Sequence, residues 1–175
     1  GDAGWGEEVA RCKYKSGEFS AALVEAAASL IRDKWKPQPA PEWVTAAPSR
    51  QRLALVPDFA RRLAERLGVP FVAVIHKRRE NQPQKEMRNG VQQLRNLLDA
   101  FDVAGEEPAG IVQATAWRAA RLFGHVGPIP SGPVLLVDDV VDSGWTLTLL
   151  AAMLRQRGSG PVFPFALAKA SPRGS

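Results

Sequence analysis

Apolar residues recur along this chain in two alternating periods. Phe19, Leu23, Ala26, Ala27, Leu30 and Ile31 fall at helical spacing and predict a helix over 18–34, ended by the proline-rich stretch 37–41. Residues 43–47 predict a short strand broken at Pro48. Pro57 opens a second expected helix, with Phe59, Leu63 and Leu67 on one face and Gly68 as its stop. A second strand is expected over 69–75, a polar exposed loop over 78–89, and a helix over 91–101 carried by Val91, Leu94, Leu98 and Phe101. A strand over 134–137, a helix over 147–157 and a strand over 161–168 complete the pattern. Strands alternating with helices predict an α/β domain: a mainly parallel twisted sheet flanked by helices, spanning 1–175 as one domain. The stretch 110–131 breaks the alternation. Within it 114–123 reads as a short basic helix before a Gly-Pro-rich segment, and an insertion at the sheet edge is expected.

One run carries chemistry: Val134-Leu135-Leu136-Val137-Asp138-Asp139-Val140-Val141-Asp142-Ser143-Gly144-Trp145-Thr146. Four apolar residues suit a strand buried on both faces, as the centre of a parallel sheet requires. Ligands of open α/β sheets bind outside the carboxyl ends of such strands. Ser143, Gly144 and Thr146 can turn N–H groups and hydroxyls onto a phosphate at the start of the next helix, where the dipole favours an anion. Asp138 and Asp139 are placed to accept hydrogen bonds from sugar hydroxyls, or to face a hard cation such as Mg²⁺. A phosphate grip beside a diol grip describes a ribose 5-phosphate site. The bland alternative is an acidic turn capping a helix, for which Asp142, Ser143 and Thr146 are all good residues. Trp145 is bulky for a loop tip; it shields the phosphate or packs as a core or interface aromatic, and the sequence leaves both open.

Composition bounds the rest. At 175 residues and 45% apolar the chain can bury a full core. No apolar run approaches the roughly 18 residues of a membrane span, and no signal peptide is read at its start. Cys12 is the one cysteine, so no internal disulfide forms and a reducing cytoplasm is expected. With His76 and His125 beside it, no zinc spacing appears. The net charge of +5 suits polyanionic ligands without choosing among them. No Walker pattern is present, so a P-loop ATPase site is not expected in this chain. The chain starts at Gly1 without methionine and is expected to be part of a longer polypeptide.

Two further segments suit an anionic leaving group. Pro48, Ser49 and Arg50 follow the first strand, where N–H groups and a guanidinium fork can meet pyrophosphate. Lys77 and Arg78 lie in the basic run 76–85, suited to fold over an anionic transition state as a lid. Both also read blandly, as a proline-bounded turn and a solvated charged surface. His76 is read as a structural or pairing residue, outside the catalytic set.

The ordered run from the apolar strand through Asp138-Asp139 to Asp142-Ser143-Gly144-Trp145-Thr146 resembles the phosphoribosyl pyrophosphate (PRPP) signature of type I phosphoribosyltransferases. Lys13-Tyr14 with Gly17, the Pro48 loop, the basic loop ending in Gln84, Arg95-Asn96 and Ala100-Phe101 are similar to the ComF-like branch. Residues 1–6, 56–60, 83–85 and 160–168 resemble more closely the carboxyl-terminal domain of actinobacterial RecQ-family DNA helicases; 110–131 departs from that pattern. The resemblance implies PRPP with magnesium, Asp138 and Asp139 at the ribose and its metal, and 142–146 at the 5-phosphate. It also implies a helicase in the same polypeptide acting in DNA repair or recombination, which nothing in composition or spacing suggests. Three functions remain in view. The first is transfer of 5-phosphoribosyl to an unknown nitrogen acceptor, with Asp138, Asp139, Arg50, Lys77 and Arg78 acting on the reacting atoms. The second is PRPP sensing without turnover. The third is a DNA-contacting scaffold using Arg11, Lys13, Lys15, Lys34, Lys36 and 77–79. The oligomeric state stays open, a homodimer included.

Overall fold

The computed structural model describes residues 3–12, 17–48, 54–77, 101–103 and 129–170, apart from the side chains of residues 3–5 and Lys77. The strands are β1 (Trp43–Ala46), β2 (Ile75–Lys77), β3 (Phe101–Val103), β4 (Val134–Val141) and β5 (Val162–Lys169). The α-helices are α1 (Ala3–Arg11), α2 (Ala21–Ser29), α3 (Leu55–Leu67) and α4 (Trp145–Gln156), and a π-helical turn, Leu30–Trp35, continues α2. No helix among the described residues is long and apolar enough to cross a membrane.

Local chemistry sets most boundaries. Ser20 caps α2, its Oγ accepting the Leu23 N–H at 3.3 Å, so the helix starts at 21 rather than 18. Helix α3 starts before Pro57, its first bond running from the Asp58 N–H to the Ala54 carbonyl at 2.9 Å. Pro57 sits inside the first turn, where a missing N–H costs nothing. Gly68 ends α3 at φ 72°, as expected from the sequence. Arg61 on α3 is raised above its ordinary pKa, chiefly by its hydrogen bond to Asp58, with burial acting against it.

The central sheet is parallel in the order β1-β4-β5. Trp43 to Ala46 pair with Val134 to Val137, and β5 runs beside β4 along its whole length. Phe71 makes a single parallel bridge to Val44 on the other side of β1. The expected strand over 69–75 is therefore corrected: the apolar run touches the sheet once, then enters a short antiparallel pair, β2 with β3. An apolar period specifies burial but not the pairing neighbour. Phe101, expected at the end of a helix, belongs to β3. Phe101 and Val103 are buried while Asp102 between them is half-exposed, a strand period. The rest of the expected helix, 91–100, lies outside the described residues, as do the loop 78–89 and 110–128 of the expected insertion.

Two apolar clusters cover the two faces. Val44, Ala46, Leu135, Val137, Phe163 and Phe165 pack with α2, the π turn and α3. Trp43, Val134 and Leu136 pack with β2, β3 and Leu147, Leu150 and Leu154 of α4. The amino ends of the strands are closed by a clasp. The Gly132 carbonyl accepts both the Trp43 indole N–H at 2.9 Å and the Gly160 N–H at 3.0 Å. A Cβ on Gly160 would stand 2.6 Å from the Gly132 carbonyl carbon, so only glycine lets the two backbones meet.

Candidate phosphate and ribose site at the carboxyl end of the sheet

Strand β1 stops where the Ala47 N–H donates to the Val137 carbonyl at 2.8 Å, while β4 runs on to Val141. The chain reaches Phe71 on one side of β1 and β4 on the other. The order of connection therefore reverses between β1 and β4, and the crevice of an open α/β sheet forms at such a point. Pro48, half-buried, lies at its β1 edge.

Within β4 the alternation of faces slips by one residue. Leu135 and Val137 pack on the α3 side, and Val134 and Leu136 on the α4 side. Beyond the two aspartates, Val140 packs on the α3 side and Val141 on the α4 side. Strict alternation from Val137 would put them the other way round. The ladder with β5 passes from Asp138–Ala166 to Val140–Ala168 with its register unchanged, so β5 follows the same irregularity. The Asp139 N–H turns instead to Asp138 Oδ1 at 2.8 Å. A regular strand would send two successive carboxylates to opposite faces. Asp138 stands beside Ala166 on the α4 side, and Val140 beside Ala168 on the α3 side, so the face repeats somewhere between them. Asp138 is half-exposed and Asp139 is 5% exposed, so one residue is open to solvent and the other is closed off from it.

The loop that follows delivers the helix. Asp142 and Ser143 are exposed, and Gly144 stands at φ 78° as the residue before α4. No side chain caps α4, so the expected capping by Asp142, Ser143 or Thr146 is not what the structure uses. The Thr148 N–H bonds to the Gly144 carbonyl at 3.0 Å, beginning the helical ladder. The N–H groups ahead of it, from Trp145 to Leu147, are the ordinary orphans of a helix start and meet an anion there favourably. Trp145 is the first residue of α4 and not a loop tip; its side chain is 40% exposed. Thr146 is half-exposed in the first turn.

Asp138, Asp139, Asp142, Ser143, Gly144, Trp145, Thr146 and Pro48 are thus gathered at one end of the sheet. Ser49, Arg50 and Arg78 lie outside the described residues. Lys77 ends β2, its side chain likewise undescribed. His76 is 4% exposed and pairs in register with Asp102, which Arg157 approaches at 3.6 Å. The sequence reading ended the strand at Val137 and so missed the slip. Val140-Val141 signalled the longer strand, since two β-branched residues after the acids continue a strand more readily than they start a loop.

Among solved structures the chain is similar to an adenine phosphoribosyltransferase, with TM-score 0.50 and 18% identity over 85% of this chain and 68% of that one. The adenine phosphoribosyltransferase of Leishmania donovani gives TM-score 0.48 and 17% identity over 86% of this chain and 54% of that one. The orotate phosphoribosyltransferase of Aeropyrum pernix gives 0.41 and 15% over 85% and 70%. At these identities the likeness concerns the fold, and the chain spans between about half and two thirds of the adenine enzymes' length. No curated protein matches. The model of the phosphoribosyl transferase domain matches residues 18–162, most of the sequence, and joins the signature run to the sheet that carries it: the chain belongs to that family.

Proposed function

We propose that this domain binds PRPP at the carboxyl end of β4 and transfers its 5-phosphoribosyl group to a nitrogen acceptor, releasing pyrophosphate. The observation that carries this reading is that β4 outruns β1, so that Asp138, Asp139 and the uncapped start of α4 lie at one end of the sheet. The N–H groups of Trp145 to Leu147 and the Ser143 and Thr146 hydroxyls bind the 5-phosphate, helped by the α4 dipole. Asp138 accepts hydrogen bonds from the ribose hydroxyls, and the buried Asp139 adds negative potential. When the C1–O bond to pyrophosphate breaks, positive charge develops on the ring, and fixed carboxylates stabilise it most in that state. Arg50, Lys77 and Arg78 offset the charge of the departing pyrophosphate. The donor set also fits Mg²⁺. Among the described residues no cluster of three or more ligating side chains occurs, so Asp138 and Asp139 would hold the ion together with substrate oxygens, as Mg²⁺ is commonly held. When bound it neutralises pyrophosphate charge.

The resemblance of 1–6, 56–60, 83–85 and 160–168 supports a RecQ-like helicase in the same polypeptide, and the single cysteine supports a cytoplasmic location. Calorimetric titration of PRPP, with and without Mg²⁺, tests the site. The 175-residue chain should bind saturably and only with Mg²⁺, and Asp138→Asn with Asp139→Asn should weaken binding about tenfold or more. A folded wild-type chain that ignores PRPP sinks the proposal. Pyrophosphate release with a nitrogen acceptor separates transfer from sensing.

A further inference from the structure

The π turn after α2 shapes a second surface. Its bonding, seen in the Lys36 N–H donating to the Ile31 carbonyl at 2.9 Å, widens the helix so that residues five apart come to one side. Leu30 and Trp35 are such a pair, 47% and 40% exposed. The Trp35 ring is braced from behind. It stacks on Phe165 with centroids 6.3 Å apart and planes 21° from parallel, and it meets Phe163 edge-on at 6.1 Å. Lys34 and Lys36 flank it, both exposed and neither paired with an acid among the described residues. The other charges of the turn have partners of their own: Asp33 accepts from Ser29 Oγ at 2.7 Å, and Arg32 donates to the Arg66 carbonyl at 3.0 Å. Phe163 and Phe165 pair with Leu135 and Val137, so this surface lies on the amino side of the strand-end site.

The chemistry of an occupant follows from these groups. An added β-strand suits this edge of the sheet poorly. Leu136 pairs with Pro164, whose neighbours bond to β4, so Pro164 faces outward and offers no N–H. A second copy across a twofold axis would bring Lys34 and Lys36 against their own like charges. A single-stranded nucleic acid supplies both complements, a flat base for the indole and phosphates for the two ammonium groups. We propose that Trp35, backed by Phe165 and flanked by Lys34 and Lys36, is a stacking platform for a base of single-stranded nucleic acid. The platform does not depend on the PRPP reading, and either stands without the other.

The test is titration of the 175-residue chain with oligodeoxythymidylate about 12 nucleotides long, followed by tryptophan fluorescence and anisotropy. Binding should quench fluorescence and weaken about 5- to 150-fold in Trp35→Ala. Trp35→Phe should keep the binding and lose the quench. Lys34→Ala with Lys36→Ala should make the salt dependence shallower by about 1.4 in log–log slope. Lys34→Glu with Lys36→Glu leaves the ring packing intact and should abolish binding, which guards against a Trp35→Ala chain that has loosened against Phe163 and Phe165. Unchanged affinity in Trp35→Ala overturns the proposal. So does a quench that survives in Trp35→Phe, equal affinity for a duplex of the same length, or a DNA-indifferent dimer that Trp35→Ala dissociates.

Discussion

Strands β4 and β5 are of equal length, run parallel and pair with each other end to end, yet they sit in different surroundings. The first half of β4 is wholly buried, with Val134 to Val137 at 0% exposure. Most of β5 is half-exposed, despite Val162, Phe163, Phe165, Ala166, Leu167 and Ala168. The cause is position in the sheet. β4 has a neighbour on each side and helices on both faces, whereas among the described residues β5 pairs on one side only. Apolar content is therefore a poor guide to which strand holds the core together; the number of neighbours decides. The contrast extends to polar groups. β4 carries its two acids where β1 has ended and ladder bonds on that side have ceased, so the irregularity at Asp138–Asp139 disturbs one neighbour and not two.

The largest effect that tests this contrast is truncation in each strand. Leu136→Ala in β4 should cost about 4 kcal/mol, because its site is closed on every side and cannot collapse. Leu167→Ala in β5 should cost about 1.5 kcal/mol, since part of that side chain is already in water. Urea unfolding of both variants checks it. Equal losses would mean that β5 is covered by parts of the chain beyond the described residues, and the contrast would fail.

A smaller effect is expected at Gly144, where the slip in β4 hands over to α4. A Cβ there would have room, its nearest contact being Val141 Cγ2 at 3.9 Å, so the difficulty is the backbone at φ 78°. Gly144→Ala should cost about 1–2 kcal/mol in thermal unfolding, and should weaken PRPP binding about tenfold as the N–H groups lose their aim. Gly144→Asn should recover part of both, because asparagine tolerates the left-handed region. Should Ala and Asn behave alike, cavity shape rather than backbone conformation governs the loop.

The same contrast separates what the sequence disclosed from what it withheld. The apolar run at 134–137 and the helical faces of 55–67 and 145–156 were legible because burial imposes their periods directly. The order Asp138-Asp139…Asp142-Ser143-Gly144-Trp145-Thr146 was legible as a candidate, because each residue type suits one part of a sugar phosphate, and the fold gathers these residues at one end of the sheet. The slip was not, since it appears only when Val140 and Val141 are seen on the wrong faces for an unbroken strand. Nor was the single bridge of Phe71 to Val44, because an apolar run does not say which strand it will join. Trp35 was hidden for a related reason. A helical period of 3.6 separates it from Leu30, and only the π turn unites them.

Pro164 gives the smallest effect on stability and the sharpest view of the edge. In β5 it breaks an otherwise favourable strand sequence, yet its nitrogen points away from β4, so the ladder loses no bond. Pro164→Val should therefore leave monomer stability within about 0.5 kcal/mol of wild type. Its consequence lies outside the monomer. The restored N–H joins the outward donors and acceptors of β5, which pair with no other strand among the described residues, and open edges recruit one another. Sedimentation velocity should show concentration-dependent self-association in the variant that exceeds that of wild type. A variant that stays as monodisperse as wild type would show that the edge is guarded by something other than the proline. A loss of several kcal/mol would show that Pro164 rigidifies β5 from within.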